Sequence, residues 1–368
     1  MNGPMAIAAP QGTARFDKIV LDGLVQRYGE VVALDHVSLA VRQGEFLTLL
    51  GPSGSGKTTL LNIICGALLP TEGRLLIDGV DITHAAVRDR GLGMVFQNYA
   101  LLPHMSVFDN VAFPLRIRKR GKSEIEQAVT NVLQRVGLSG LAHRKPRELS
   151  GGQQQRVGIA RCLVYAPTII LMDEPLGALD KKLREQMQEE VKRLHLELST
   201  TIIYVTHDQE EALNLSDRIC LMHRGRIEQI GTPEELYFEP KTIFAADFIG
   251  ESNLLAGTLV DDTIFRLETD ELVKIADPRG IPPGSPATLL IRPEKIGMHA
   301  TAKDAANYAR CIVQTVSFVG GLTRITASAR DGTQFLLKTV STQAESRVQV
   351  GAEVDIAWSA ADGILLAE

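Results

Sequence analysis

The stretch that decides the fold reads Gly51-Pro52-Ser53-Gly54-Ser55-Gly56-Lys57-Thr58. It fits the pattern G-x-x-x-x-G-K-[ST], in which glycines let a loop turn its backbone N–H groups toward phosphate oxygens. An apolar run at residues 46–50 precedes the loop, and apolar residues recur with helical spacing at 59–64. Strand, loop and helix in this order are the context that the motif requires. We therefore predict a phosphate-binding loop rather than an ordinary glycine turn.

Two side chains at the end of this loop are suited to nucleotide chemistry. The Lys57 ammonium brings a positive charge to the β- and γ-phosphates, and the Thr58 hydroxyl is placed to bind Mg²⁺. The positive end of the following helix acts on the same phosphates.

Two further apolar runs end at polar residues. Residues 169–172 precede Asp173-Glu174, and residues 201–205 precede Thr206-His207. Continuous rather than alternating hydrophobicity is typical of strands buried on both faces of a parallel sheet. Because ligands bind beyond the carboxyl ends of such strands, we expect these polar residues near the phosphate-binding loop. A surface acidic pair and a structural histidine are the alternatives.

A second glycine-rich stretch, Leu149-Ser150-Gly151-Gly152-Gln153, begins a predicted helix. Ser150 is a favourable N-cap, and the residues from Gln153 onward have helical character. The positive end of this helix, with its bare glycine N–H groups, suits a γ-phosphate. The stretch lies within residues 98–165, where apolar side chains recur at helical spacing and predict a helical insert.

Size and composition narrow the class of protein. With 368 residues, 45% hydrophobic and 23% charged, the chain is long enough for two domains. A net charge of -5 gives no general argument for nucleic acid. No apolar run approaches the roughly 18 residues that span a bilayer, so a membrane role requires a partner.

Residues 1–16 predict a flexible tail rather than an export signal. The four scattered cysteines predict buried thiols in a reducing cytosol, with no disulfide or metal site.

Beyond Asn253 the pattern changes to short β-rich runs separated by Gly, Pro and Asp. Several short strands at this spacing predict a small barrel or sandwich, and we place the boundary near residues 250–252. The runs cover residues 287–291, 311–316, 323–326 and 335–337.

The phosphate-binding loop followed by LSGGQ resembles the ATPase subunit of ATP-binding-cassette (ABC) transporters. The resemblance spans about residues 17–250 and implies an α/β fold, a P-loop NTPase with a parallel-sheet core and a helical subdomain at about 98–165. The remaining residues, 253–368, resemble the small all-β, OB-like regulatory domain of binding-protein-dependent importers. The sequence Ile291-Arg292-Pro293-Glu294 is typical of that domain.

The resemblance also implies roles for single residues. Asp173 holds Mg²⁺ together with Thr58 and Gln97, which follows the apolar residues 94–96. Glu174 is the general base that polarises the attacking water, and His207 contacts the γ-phosphate. Tyr28 stacks on adenine, unless it is a core tyrosine on a strand. The expected ATP-binding residues are Tyr28, Gly51, Pro52, Ser53, Gly54, Ser55, Gly56, Lys57, Thr58 and Thr59.

In this family two chains pack head to tail, and each LSGGQ closes over the partner's ATP. The residues implied to act across the interface are Ser150, Gly151, Gly152, Gln153 and Asp180. The expected cofactors are ATP and Mg²⁺. The expected partners are a second copy, two transmembrane permease subunits and an extracytoplasmic substrate-binding protein, with no nucleic acid. The expected location is the cytoplasmic face of the cell membrane.

The substrate is the least determined part, because an ATPase subunit does not contact the cargo. Residues 180–188 and 248–253 resemble those of polyamine (spermidine/putrescine) importers. Importers of iron(III), thiamine and phosphonate have similar sequences in these segments and remain alternatives. A soluble ABC ATPase acting on DNA or ribosomes is an alternative of another class; a P-loop kinase is disfavoured by LSGGQ.

Overall fold

The computed structural model describes residues 16–177, 179–298, 306–341 and 348–367. The predicted flexible tail lies outside these ranges except for its last residue. The chain divides between Pro233 and Glu234 into two compact units, called the first and second unit below.

The first unit contains ten strands and six α-helices in its described residues. Its strands are β1 (Asp17–Tyr28), β2 (Val31–Arg42), β3 (Phe46–Leu50), β4 (Glu72–Ile77), β5 (Val80–Asp81), β6 (Gly93–Val95), β7 (Ile169–Asp173), β8 (Thr201–Thr206), β9 (Arg218–His223) and β10 (Arg226–Gly231). Its helices are α1 (Lys57–Cys65), α2 (Val107–Ile117), α3 (Lys122–Arg135), α4 (Gly151–Leu163), α5 (Lys181–Leu198) and α6 (Gln209–Leu215).

A six-stranded sheet with the order β10-β9-β3-β8-β7-β6 forms the centre of the first unit. The pairs from β9 to β6 are parallel, and only β10 is antiparallel to its neighbour. Every residue of β3 and β8 is buried, because helices and a second sheet cover both faces. The continuous apolar runs therefore form neighbouring parallel strands, and the predicted α/β fold is confirmed.

A four-stranded antiparallel sheet, β2-β1-β4-β5, accompanies this centre. Its side chains share one hydrophobic cluster with β3 and α1. This sheet was not predicted from the sequence. The pairing of β1 with β2 shifts register at several points, so the alternation that marks half-buried strands is interrupted.

Helices α2, α3 and α4 lie between β6 and β7, within the stretch where a helical insert was predicted. On α3 the buried residues Ile125, Val129, Val132 and Leu133 recur at helical spacing, as predicted for this stretch. The helix ends at Arg135, and Gly137 follows with a φ of 68°, which glycine adopts without strain. These helices pack on the central sheet through one cluster of buried apolar side chains.

The second unit is rich in β structure. Its helices are α7 (Pro233–Phe238), which begins at the division, and α8 (Ile243–Phe248). Two five-stranded antiparallel sheets, β13-β12-β11-β14-β20 and β15-β19-β16-β17-β18, share one hydrophobic core. Both helices precede residue 253, and the described residues from 253 onward contain no α-helix, so the all-β prediction for residues 253–368 is confirmed. The strands are β11 (Asn253–Asp261), β12 (Ile264–Leu267), β13 (Leu272–Lys274), β14 (Pro286–Ile291), β15 (Gly297–Met298), β16 (Asn307–Val319), β17 (Leu322–Ala329), β18 (Gln334–Val340), β19 (Glu353–Trp358) and β20 (Gly363–Ala367).

The second unit begins before residues 250–252, where the sequence placed the boundary, because α7 and α8 are fastened to it by Arg292. This buried guanidinium donates to Tyr237 O at 2.8 Å and to Ala246 O at 3.0 Å. It also lies over the Tyr237 ring, 4.2 Å from the centroid, and donates to Ser252 Oγ at 2.7 Å. The extent of each functional domain stays a prediction.

Among the helices of the described ranges, none is long and apolar enough to cross a membrane.

Candidate active site

The phosphate-binding loop connects β3 to α1, as its sequence predicts. A Cβ on Gly51 would lie 2.2 Å from Met222 O, and one on Gly56 would lie 2.7 Å from Ala33 O. Only glycine fits at these positions, so the loop packs its backbone directly against neighbouring backbone. Gly56 is also the N-cap of α1 and has no side chain to accept from the first-turn N–H groups. Those groups are suited to bind an anion.

The Lys57 ammonium is hydrogen-bonded to carbonyl groups of the phosphate-binding loop. It donates to Gly51 O at 2.7 Å and to Pro52 O at 2.9 Å. Burial lowers the pKa of Lys57, while the negative charges of Glu174 and Asp173 act to raise it. Thr58 and Thr59 follow on the first turn of α1.

Two carboxylates lie at the carboxyl end of β7, near enough to Lys57 for their charges to affect its pKa. Asp173 is the last residue of the strand, and burial raises its pKa, with a smaller contribution from the Glu174 charge. Lys57 opposes this shift. Glu174 turns away from the strand with a φ of 42°, and its N–H donates to Val205 O at 2.9 Å. The backbone of the neighbouring strand thus fixes where the Glu174 side chain begins.

Glu174 is contacted by both of the other residues that were expected near it. Gln97, two residues after β6, donates from Nε2 to Glu174 Oε2 at 3.4 Å. His207, directly after β8, lies with Nδ1 3.2 Å from Glu174 Oε1. The adjacent ends of β6, β7 and β8 therefore bring Gln97, Glu174 and His207 together.

Four residues after His207, the buried Glu211 belongs to a polar group that was not predicted from the sequence. The Glu211 carboxylate accepts from the Tyr204 and Thr206 hydroxyls, both at 2.8 Å. Burial raises the pKa of Glu211, and these two hydrogen bonds oppose the shift. Thr206 Oγ1 in turn accepts from Asp208 N at 3.0 Å. Polar side chains within the otherwise apolar 201–206 stretch were the available signal.

The LSGGQ segment forms the start of α4, and the predicted N-cap is confirmed. Ser150 Oγ accepts from Gln153 N at 3.4 Å, and Ser150 N donates to Gln153 Oε1 at 3.0 Å. This reciprocal pair is a capping box. A Cβ on Gly152 would lie 2.7 Å from Leu183 Cδ1, so glycine lets α4 approach α5 closely. Asp180 is the exposed N-cap of α5 and accepts from Leu183 N at 2.9 Å.

Tyr28 and the LSGGQ segment are both at least partly exposed. Within the described part of the chain, neither makes a hydrogen bond or ion pair with Lys57, Glu174 or His207. Tyr28 is the last residue of β1 and is 52% exposed, so it is not a core tyrosine. Its ring and the start of α4 are accessible to a ligand or a second chain.

Comparisons with known proteins agree with this geometry. The ABC transporter family model matches residues 34–177, and the TOBE domain model matches residues 289–366. The spermidine/putrescine import ATP-binding protein PotA of Nitrosomonas eutropha is 49% identical over 289 residues, which are 77% of this chain and 80% of the relative. The protein of the same name from Thermobifida fusca is 44% identical over 340 residues, or 90% of this chain and 88% of the relative. The chain belongs to the family of ABC transporter ATP-binding proteins.

Solved structures of this family share the fold of the first unit. The dimeric structure of the ATP-binding cassette MJ0796 bound to ADP and Pi is 37% identical, with a TM-score of 0.53. The match covers 58% of this chain and 98% of the MJ0796 chain. CbiO1 of Clostridium perfringens, described as part of the ABC transporter complex cbiONQ, is 31% identical with a TM-score of 0.57, covering 61% of this chain and 91% of that one. The P-loop NTPase prediction is thereby confirmed, and the chain is an ATP-binding ABC ATPase.

Proposed function

We propose that this protein is the ATP-hydrolysing subunit of a binding-protein-dependent importer for polyamines. The observation that carries the catalytic part is the Glu174 carboxylate, held between Gln97 and His207 beside the phosphate-binding loop. This arrangement supplies a base, a group that fixes its direction and a cationic cradle for phosphate, which are the parts that phosphoryl transfer to water requires.

In the proposed reaction the chain acts mainly by positioning charges. Lys57 and the N–H groups of α1 hold the β- and γ-phosphates. Glu174 accepts the proton of the water whose oxygen attacks the γ-phosphorus, and the bond to the bridging oxygen breaks. His207 contacts the γ-phosphate and steadies Glu174. Closure of the site excludes water and strengthens each of these charge contacts.

A magnesium ion fits the oxygen atoms available here. Thr58 offers a hydroxyl, Asp173 a carboxylate and Gln97 an amide oxygen, which are the hard ligands that Mg²⁺ prefers. The described residues contain no group of three His, Cys, Asp or Glu side chains able to hold a metal by themselves. This suits an ion that keeps waters and takes phosphate oxygens as further ligands. When bound, it would neutralise charge on the phosphates.

Each site is proposed to be completed by a second copy of the chain. Ser150 to Gln153 and Asp180 are exposed or partly exposed at helix starts, except for the tightly packed Gly152. Two of the similar solved structures are dimers. In a head-to-tail pair, the start of α4 would lie over the γ-phosphate bound by the partner.

The transport role is proposed from the relatives. Their names describe spermidine/putrescine import ATP-binding proteins. The chain would work with two permease subunits and an extracytoplasmic binding protein, at the cytoplasmic face of the membrane. Tyr28 would stack on adenine.

Uptake measurements test the substrate. In cells lacking this gene, a plasmid copy should restore uptake of radiolabelled spermidine or putrescine, and the Glu174→Gln variant should not. Restored uptake of iron(III), thiamine or a phosphonate, without polyamine uptake, would replace the substrate assignment. Purification that recovers nucleic acid or ribosomes and no permease would instead favour a soluble ABC ATPase.

A further inference from the structure

Arg184 joins two segments that serve different nucleotide sites in the proposed dimer. It lies on the first turn of α5, and its Nη2 donates to Leu179 O at 3.1 Å. Leu179 directly precedes Asp180, whose carboxylate caps the same helix. The guanidinium therefore holds the backbone of the turn that presents Asp180.

The other nitrogen of the same guanidinium contacts the segment that carries His207. Arg184 Nη1 donates to Asp208 Oδ2 at 3.1 Å. Asp208 follows His207 directly and is the N-cap of α6, accepting from Glu211 N through Oδ1 at 3.1 Å. Its position thus sets both the start of α6 and the end of the loop that presents His207.

The environment makes this link stiff. Arg184 is 30% exposed on its side chain and Asp208 is 25% exposed, so water screens the pair less than a surface ion pair. The nearly buried Glu211 carboxylate lies with Oε1 3.8 Å from Arg184 Nε. A guanidinium is rigid and planar and presents its donors in a fixed fork, whereas a lysine ammonium is a point charge on a flexible stem.

Further along, α5 and α6 are tied by two more hydrogen bonds. Asn214 Nδ2 donates to Gln188 Oε1 at 3.0 Å, and Lys192 Nζ donates to Asn214 O at 2.6 Å. The helices that follow Asp180 and His207 are therefore joined along their length, with Arg184 at the end nearest both residues.

We propose that Arg184 is a positioning residue for ATP hydrolysis that makes the Asp180 turn and the His207 loop move together. The proposal rests on the proposed function, in which Asp180 reaches the partner's nucleotide and His207 serves the nucleotide bound by its own chain. One guanidinium then transmits the closure of one site of the dimer to the other.

Steady-state kinetics of the full chain give the first test. Arg184→Gln should lower kcat about tenfold, since small displacements of catalytic groups have effects of this size or larger, and should leave the ATP dissociation constant nearly unchanged. Arg184→Lys should recover part of kcat. Arg193→Gln is the matched control, because Arg193 lies on the same helix and pairs mainly with Glu190 and Glu197 of that helix. A loss of thermal stability with unchanged kcat per folded chain would overturn the proposal.

Heterodimers purified through two different affinity tags give the sharper test. The reference pairs a Glu174→Gln chain with a wild-type chain, which leaves one working site. In the first test dimer, Arg184→Gln is on the chain that supplies His207 to that site. In the second, Arg184→Gln is combined with Glu174→Gln on the other chain, so that the altered chain supplies only Asp180 and LSGGQ.

The proposal expects lower turnover than the reference in both test dimers. A decrease in only one of them would mean that Arg184 acts on a single segment, and a decrease in neither would remove its role; either result overturns the link. The proposed function fails separately, if the Glu174→Gln homodimer hydrolyses ATP normally. With an inactive homodimer and an active reference, unaltered test dimers would refute only the Arg184 proposal.

Discussion

Glu174 combines a constrained backbone with a side chain that has two polar neighbours. Its amide is fixed on Val205 O, and its carboxylate oxygens lie near His207 and Gln97. Such a group is oriented before the substrate arrives, which favours a role in the reaction over a role in the fold.

Replacement of this carboxylate tests its chemistry. Glu174→Gln retains the shape and a hydrogen-bonding oxygen but cannot take a proton at neutral pH. We expect ATP binding to persist and turnover to fall by roughly 10²–10⁴, the usual contribution of a general base. Phosphate release by the purified chain measures this, with the exposed Glu185→Gln as a control. Near-normal hydrolysis would mean that another group is the base.

Lys57 is expected to act on binding instead. Lys57→Ala removes the charge that faces the phosphates, and charge-assisted hydrogen bonds contribute roughly 1.5–3 kcal/mol, or about ten- to a hundredfold in affinity. Titration with a fluorescent ATP analogue should show this weakening. The exposed Lys182→Ala variant should bind as the wild type does; unchanged affinity in Lys57→Ala would contradict the assignment.

At the scale of elements, the start of α6 contains a titrating group that affects stability. Burial raises the pKa of Glu211 above its ordinary value of 4.5. Between that value and the raised one, the folded chain binds more protons than the unfolded chain. The free energy of unfolding therefore falls as pH rises through this window.

Glu211→Gln should remove this contribution while keeping an oxygen that accepts from Tyr204 or Thr206. We expect the thermal midpoint of the variant to fall less than that of the wild type as pH is raised from about 4.5 toward neutrality. Scanning calorimetry over a pH series measures it. Glu210→Gln, an exposed change on the same helix, should retain the wild-type dependence; the same slope in Glu211→Gln would show that this carboxyl does not titrate there.

The elements that the sequence predicted are those with an unambiguous local signal. The strands β3, β7 and β8 are continuous apolar runs, and the start of α4 has a recognisable cap. By contrast, β1 and β2 have interrupted alternation, and the contacts of Arg184 join residues 24 and 27 positions apart. Such contacts depend on how α5 and α6 pack, which no short stretch of sequence specifies.

The site residues also divide into those with a local sequence signal and those that depend on packing. Glu174 and His207 were predicted near the loop because each follows a strand of one parallel sheet, so topology alone places them together. Gln97 was expected from the family resemblance. Glu211 was missed because its burial depends on the helix that begins after His207. The roles assigned to Tyr28 and Asp180 stay predictions, since each depends on a molecule that contacts an exposed residue.

At the scale of the whole molecule, shared sites can be tested by complementation. Ser150→Arg places a bulky cation at the start of α4, and Glu174→Gln disables the base. In a head-to-tail dimer of one chain of each kind, both defects fall in one site and the other site is intact. Mixtures should therefore hydrolyse ATP faster than either variant alone. Ser150→Ala, which only weakens the cap, is the control for folding; no gain on mixing would contradict shared sites.

The hydrogen bonds from Arg292 to α7 and α8 determine where the chain can be cut without loss of stability. A fragment that started at residue 253 would contain Arg292 but neither Tyr237 nor Ala246, whose carbonyl groups accept from it. Ala246 also packs with Leu290 and Leu366 in one buried apolar cluster, so the fragment would lose apolar burial as well as these hydrogen bonds. Anyone isolating the second unit for crystallisation or ligand screening should therefore retain the residues from Pro233 onward. A protease that cuts between α8 and β11 would release a fragment prone to unfold.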